Sequence, residues 1–177
     1  MQIIKADINT FKKYKEELMD LYLFTSTKPP MEQYLPRHRE ESYMIDMFEH
    51  GGYGYFAFDE KKLIGFVINT PLSHDKLIPD SMKSLPIDKC LYIAEMHVHP
   101  DFQGMGIGSG FIRRTINDAK EKEFEYIFIR SWKVNVRAIK LYERFGFKKG
   151  EIITQEKIKQ DKKTKFIIEK IYLYQKL

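Results

Sequence analysis

The 177-residue chain is 43% hydrophobic, 14% aromatic and 31% charged. That length and composition fit one domain over residues 1–177, able to bury roughly 70% of its unfolded surface without disulfides or metal. Cys90 is the only cysteine, which excludes a disulfide scaffold, and the composition also excludes a disordered tail or a collagen-like fibre. The net charge of +5 is local, because residues 148–177 hold nine lysines and four acids while residues 1–147 hold 21 basic and 21 acidic side chains.

From the N-terminus, Ile3 and Ile4 begin an edge strand. Phe11, Tyr14, Leu18, Leu21 and Tyr22 recur at helical spacing and predict a helix over about Thr10–Phe24, stopped by Pro29-Pro30. A second helix is expected from about Pro36 to His50, ending at Gly51-Gly52. Tyr53–Phe58 and Leu63–Asn69 read as a hairpin around Asp59-Glu60-Lys61-Lys62. A long Pro-containing segment over 70–89 precedes a strand at Leu91–Val98. Then follow a glycine-rich loop, a helix over about Gly106–Lys122, and a continuous apolar strand at Tyr126–Arg130, as expected for a strand buried on both faces. A helix from Val134 or Asn135 to Phe145 is closed by Gly146. Strands at 151–159 and 164–174 flank the turn Gln160–Lys163. This order predicts a three-layer α/β domain with a mixed sheet of about seven strands flanked by helices.

The most informative segment is Val98-His99-Pro100-Asp101-Phe102-Gln103-Gly104-Met105-Gly106-Ile107-Gly108-Ser109-Gly110, between a strand and a helix. Such a loop presents backbone N–H groups and the positive end of a helix dipole to an anion. A dinucleotide fingerprint fails, because Ser109 or Phe111 stands where the third glycine belongs, and no Gly-Lys pair supports a phosphate-binding Walker loop.

The spacing that fits is Gln/Arg-x-x-Gly-x-Gly/Ala, carried by Gln103, Gly106 and Gly108. Here the chain resembles the GNAT superfamily of acetyl-CoA-dependent N-acetyltransferases. The likeness spans about sixty residues, 91–150, from Glu95-Met96-His97-Val98-His99-Pro100 through the loop to Asn135-Val136-Arg137-Ala138-Ile139-Lys140-Leu141-Tyr142-Glu143-Arg144-Phe145-Gly146-Phe147. The resemblance implies a sheet splayed at its fourth and fifth strands. It also implies acetyl-CoA as cosubstrate, no metal, and transfer of acetyl to a primary amine by direct attack in a ternary complex. Loop amides from Gln103, Gly104, Met105, Gly106, Ile107, Gly108 and Ser109 would hold the pyrophosphate. Main-chain groups of Met96, His97 and Val98 would pair with the pantetheine arm.

Asn135 matches an asparagine that contacts the same arm, although Asn also favours a helix N-cap. Tyr142 matches a tyrosine near the thioester sulfur, where a phenol can donate to the departing thiolate. An amine must lose a proton before attack, which makes Glu95 the candidate base. Strand alternation, however, puts Glu95, His97 and His99 on one face and Tyr92, Ala94 and Met96 on the other. Deprotonation by solvent and backbone carbonyls is the alternative. Glu95, His97 and His99 could also ligate a metal, but adjacent histidines at this spacing more often pack. Cys90 reads as a small hydrophobe at a strand start.

Acceptor choice would fall to the Phe24–His38 region, the 70–89 insert and the C-terminal hairpin. Glu32, Glu40, Glu41, Asp75 and Asp80, with Tyr34 and Tyr43, could attract a cationic amine. A small-molecule amine is the first expectation. A peptide N-terminus, or a regulator that binds acetyl-CoA without turnover, stands beside it. No nucleic-acid partner is expected, since Lys157, Lys159, Lys162, Lys163 and Lys165 alternate with acids in a hairpin that reads as a solvated edge. With no apolar run near ~20 residues and no leader pattern, the protein is expected in the cytoplasm, away from membranes. A homodimer is compatible with all of this.

Overall fold

The computed structural model describes residues 1–28 and 32–177. Seven strands make one sheet in the order β1-β2-β3-β4-β5-β7-β6: β1 Gln2–Ala6, β2 Tyr53–Asp59, β3 Lys62–Pro71, β4 Cys90–Val98, β5 Tyr126–Trp132, β6 Lys148–Ile158 and β7 Lys165–Lys176. Every neighbouring pair is antiparallel except β4 and β5, which run parallel. The expected mixed, helix-flanked sheet is therefore present, with β4 and β5 at its centre.

The first expected helix is two, α1 Ile8–Lys13 and α2 Lys15–Thr27, broken at Tyr14, where ψ rises to 19°. Asp7 caps α1 by accepting from the Thr10 amide at 2.8 Å. The break lets Phe11 and Leu18 both turn onto the sheet, where each is fully buried. Pro29 and Pro30, expected to end α2, lie outside the described residues. α3 (Arg37–Glu49) follows, with α4 (Ile107–Glu121) and α5 (Val136–Arg144) completing the helices. No helix among the described residues is long and apolar enough to cross a membrane.

The sheet faces are covered differently. Helices α4 and α5 pack on one face over Ile64, Val67, Leu91, Ile93, Ile127 and Ile129. Helices α1 to α3 cover the other face over β1–β3. The 70–89 insert contains three short 3-10 turns and covers the rest of that second face, burying Leu72 and Met82 against Tyr92, Phe128 and Tyr172. Truncating Leu72 to Ala removes a side chain with no exposure, a change that costs about 2–5 kcal/mol in a packed core. A buried ion pair also ties the insert to the sheet: Arg130 donates to Asp75 at 3.0 Å and to the Tyr172 hydroxyl at 2.9 Å. Cys90 opens β4 buried, and burial pushes its thiol up to about 11, which makes it a packing residue and not a nucleophile.

Candidate active site

Parallel pairing of β4 with β5 covers only Cys90–Ile93 against Tyr126–Ile129. Beyond that point β4 runs on to Val98 and β5 to Trp132 without pairing to each other, so the sheet splits into a V. β3 still pairs with β4 throughout this stretch. The β5-facing backbone edge of Glu95–Val98 is therefore left without a strand. The split opens into a cleft of about 1220 Å³, and Glu95, Met96, His97 and Val98 line one wall while Ser131, Trp132, Val134 and Asn135 line the other.

Strict alternation along β4 does not hold. Register along β3 jumps from Ile68 opposite Glu95 to Asn69 opposite Ile93, so Ala94 is an extra residue, a β-bulge. The bulge resets the faces. Leu91, Ile93, Met96 and Val98 face α4 and α5. Tyr92 lies on the opposite face, where His97 also stacks with Phe66 and meets Tyr22 edge-on, each at 5.1 Å. Glu95 and His97 thus join Tyr92 on the cleft side, contrary to the alternation expected from sequence.

Glu95 is not isolated there. Its Oε2 lies 2.9 Å from His97 Nε2, and His97 Nδ1 lies 2.7 Å from the Thr25 hydroxyl. Thr25 in turn reaches the Leu21 carbonyl at 2.9 Å. The single Thr25 proton is shared between that carbonyl and His97 Nδ1, so the contact anchors the His97 ring, and through it Glu95, against α2. The charge of Glu95 also bears on Tyr22, Tyr43, Tyr92 and Tyr142. His99 stands apart from these contacts, stacked on Phe24 at 5.3 Å and accepting the Asp101 amide.

Tyr142 comes from α5 on the far side of the sheet, 5% exposed and lining the same cleft. Burial, reinforced by the negative charge of Glu95, holds its hydroxyl above the usual tyrosine range. It therefore remains protonated, a hydrogen-bond donor at any ordinary pH. Asn135 is the N-cap of α5, its Oδ1 accepting from the Ala138 amide at 3.2 Å. The cap uses the oxygen, and the residue still lines the cleft.

The glycine loop continues outward from Gln103. Gln103 donates from Nε2 to the Val98 carbonyl at 3.1 Å and accepts from Arg137 at 2.8 Å, which ties β4, the loop and α5 together. Gly104 and Gly106 sit at φ +89° and +85°, the left-handed region that disfavours side chains. Gly108 has a different reason: an added Cβ would approach Leu141 Cδ2 at 3.1 Å. Helix α4 starts at Gly106 with no side-chain cap and no acid in its first turn. The amides of Ile107, Gly108 and Ser109 are therefore left as donors at the positive end of a 15-residue helix. That donor set fits the pyrophosphate of a coenzyme A. Gly104, Met105, Gly106, Ile107, Gly108 and Ser109 flank the cleft without lining it.

Several lining residues carried no sequence signal. Tyr22 donates to Glu40 at 2.9 Å, and Arg130 pairs with Asp75, so both cleft acids outside β4 with an expected role are already engaged. Of the other acids expected to attract an amine, Glu41 pairs with Lys15 at 2.7 Å and Asp80 with Lys83 at 2.5 Å. Glu32 lies 3.9 Å from Lys159. Two lysines of the basic hairpin, Lys157 and Lys170, turn into the cleft, so that hairpin is more than a solvated edge.

A mixed sheet splits after a short parallel pairing, with an uncapped helix N-terminus beside the split, and the gap has the shape and the free donors to suit an extended, anion-bearing molecule. The family model for the acetyltransferase (GNAT) family matches residues 14–147, and the chain belongs to that family. An uncharacterized N-acetyltransferase of Dictyostelium discoideum is 36% identical over 59 residues, 33% of this chain. The match spans only 27% of that relative's length. An N-acetyltransferase from Staphylococcus aureus Mu50 superposes with a TM-score of 0.74 at 14% identity, covering 99% of both chains. The yncA protein of Salmonella typhimurium, solved with its cofactor acetyl-CoA, superposes with a TM-score of 0.72 at 14% identity, covering 100% of this chain and 94% of its own. At those identities the superpositions establish the shared fold.

Proposed function

We propose that the protein transfers an acetyl group from acetyl-CoA to the primary amine of a small molecule, both substrates being bound at once. The observation that carries this is the meeting of Glu95 and Tyr142, from opposite faces of the sheet, in the cleft opened where β4 and β5 part. When bound, acetyl-CoA supplies the acetyl group as an activated thioester. The first-turn amides of α4 hold its pyrophosphate. The strand-free edge of β4 at Met96–Val98 supplies main-chain partners for its pantetheine amides, and Asn135 adds a side-chain contact from the β5 side.

Glu95 accepts a proton from the incoming ammonium, and His97, itself held by Thr25, keeps the carboxylate in place. The freed amine attacks the thioester carbonyl, a C–N bond forms, the C–S bond breaks, and the second proton shed by the nitrogen passes through solvent to the departing thiolate. Tyr142 donates a hydrogen bond to the departing sulfur. Because burial raises its pKa, the phenol serves better as a fixed donor than as a full proton source. No covalent acyl-enzyme is needed, and the buried Cys90 offers none. Initial rates measured over a grid of acetyl-CoA and amine concentrations test the mechanism. Intersecting reciprocal plots are expected, and parallel plots would overturn direct attack.

A further inference from the structure

The acceptor end of the cleft, away from the glycine loop, is built from the far strands of the sheet. Ile153, Gln155 and Lys157 share one face of β6 by alternation, and Lys170 on β7 stands opposite Ile153 and beside Trp132 of β5. Gln155, Lys157, Lys170 and Trp132 all line the cleft. Residues 33–36, just before α3, border this end, with the Tyr34 amide donating to the Ile158 carbonyl at 2.7 Å.

Neighbouring hairpin lysines satisfy themselves outward: Lys165 pairs with Glu156 and Lys149 with Glu143, each at 2.9 Å. Lys157 and Lys170 make no ion pair or hydrogen bond with any described residue. Two further polar atoms here are buried without a partner among the described residues, the Gln155 side-chain oxygen and the Arg130 Nε. Two like charges stand together at this end, partly out of water, and the acids Glu40, Glu95 and Asp75 act on them only at a distance and offset the repulsion in part. Burial, with Arg130 and Lys157 adding repulsion, brings Lys170 down to about 8. The cluster presents donors to something negative.

We propose that the acceptor is an amine that also carries an anionic group, a carboxylate or a phosphate, which Lys157 and Lys170 bind while the amine meets Glu95. This rests on the acetyl-transfer reading of the cleft and adds the chemical class of its acceptor. Polyamines and other purely cationic amines would be poor substrates, because they would be repelled at this end.

The test uses matched pairs with the full-length protein. Free amino acids are compared with their amides, and ethanolamine phosphate with ethanolamine. Spermidine serves as the cationic control. Acetylation rates are read beside the thermal shift each amine gives to the coenzyme A-loaded protein. The anionic member of at least one pair is expected to lead in kcat/KM by about 10–100-fold and to raise the melting temperature. The carboxylate and phosphate arms show which anion is preferred. In Lys170→Met and Lys157→Met that preference is expected to fall toward unity, and Lys170→Arg is expected to restore most of it. Equal rates for neutral partners or spermidine, or no thermal shift from any anionic amine, would overturn the proposal and leave acetyl-CoA use standing. A loss of acetyl-CoA affinity in the two Lys→Met variants would overturn it as well, by assigning these lysines to the cosubstrate. Failure of the wild-type protein to bind acetyl-CoA would instead overturn the acetyl-transfer reading.

Discussion

On the function proposed above, the two ends of the cleft recognise by different means. At the cosubstrate end the contacts come from main chain: the bare edge of β4 and the uncapped start of α4. At the acceptor end they come from side chains on β6, β7 and α3, with charged groups held partly out of water. Main-chain recognition leaves the local sequence with little to specify beyond glycines at the left-handed turns, so it is compact and readable in one segment. Side-chain recognition depends on which residues the fold brings together, and so it is scattered along the chain. Glu95 and Tyr142 stand where the two ends join.

The largest effect is expected at that junction. Tyr142→Phe removes one hydroxyl and should lower kcat by about 10²–10³-fold, while acetyl-CoA affinity measured by calorimetry changes little. Unchanged turnover would remove the donor role. Glu95→Gln keeps shape and removes the proton acceptor, and should lower kcat by about 10²-fold. Its pH–rate profile should lose the limb that reports the base. A profile of unaltered shape would point instead to solvent and backbone carbonyls.

Disturbing the cosubstrate end should act on one KM alone. Gly106→Val places a β-branched residue at φ +85°, a strain of about 1–2 kcal/mol. The KM for acetyl-CoA should rise about tenfold with the acceptor KM unmoved; equal changes in both would blur the division between the ends. The smallest effect concerns stability at the acceptor end. Lys170 titrates near about 8 in the fold against 10.5 unfolded, so between those values the unfolded chain holds a proton that the folded chain has released. Stability should therefore rise with pH across that window and not below it. Arg130 and Lys157 repel the charge, and Glu95 and Asp75 partly offset them. Lys170→Met should raise the melting temperature at pH 7 by a few degrees, about 1–2 kcal/mol, and flatten the rise above pH 8. A lower melting temperature would mean that the lysine is well satisfied in the fold.

The glycine loop, the strand before it and the Asn135–Tyr142 face of α5 were legible because each lies within one short segment with a recurring spacing. The element order was legible from periodicity for the same reason. The bulge at Ala94 was not, because a bulge is a property of two paired strands and nothing in the sequence of β4 alone marks it. Its consequence was large, since it decides that Glu95 faces the cleft. The contact of His97 with Thr25, 72 residues apart, was equally hidden. The hairpin lysines show the same limit from the side of composition. Counting charge found them, but only the register of β6 on β7 separates Lys157 and Lys170 from their outward neighbours. The break at Tyr14 was missed because the hydrophobic spacing runs through it almost unaltered.

The most direct test of the central claim is release of free thiol from acetyl-CoA by the purified protein across a panel of small amines and peptides. Amine-dependent release, matched one for one by acetylated product, is the predicted result. Tight binding of acetyl-CoA with no release on any amine or peptide would contradict it and mark the protein as a binder of the cosubstrate without catalysis.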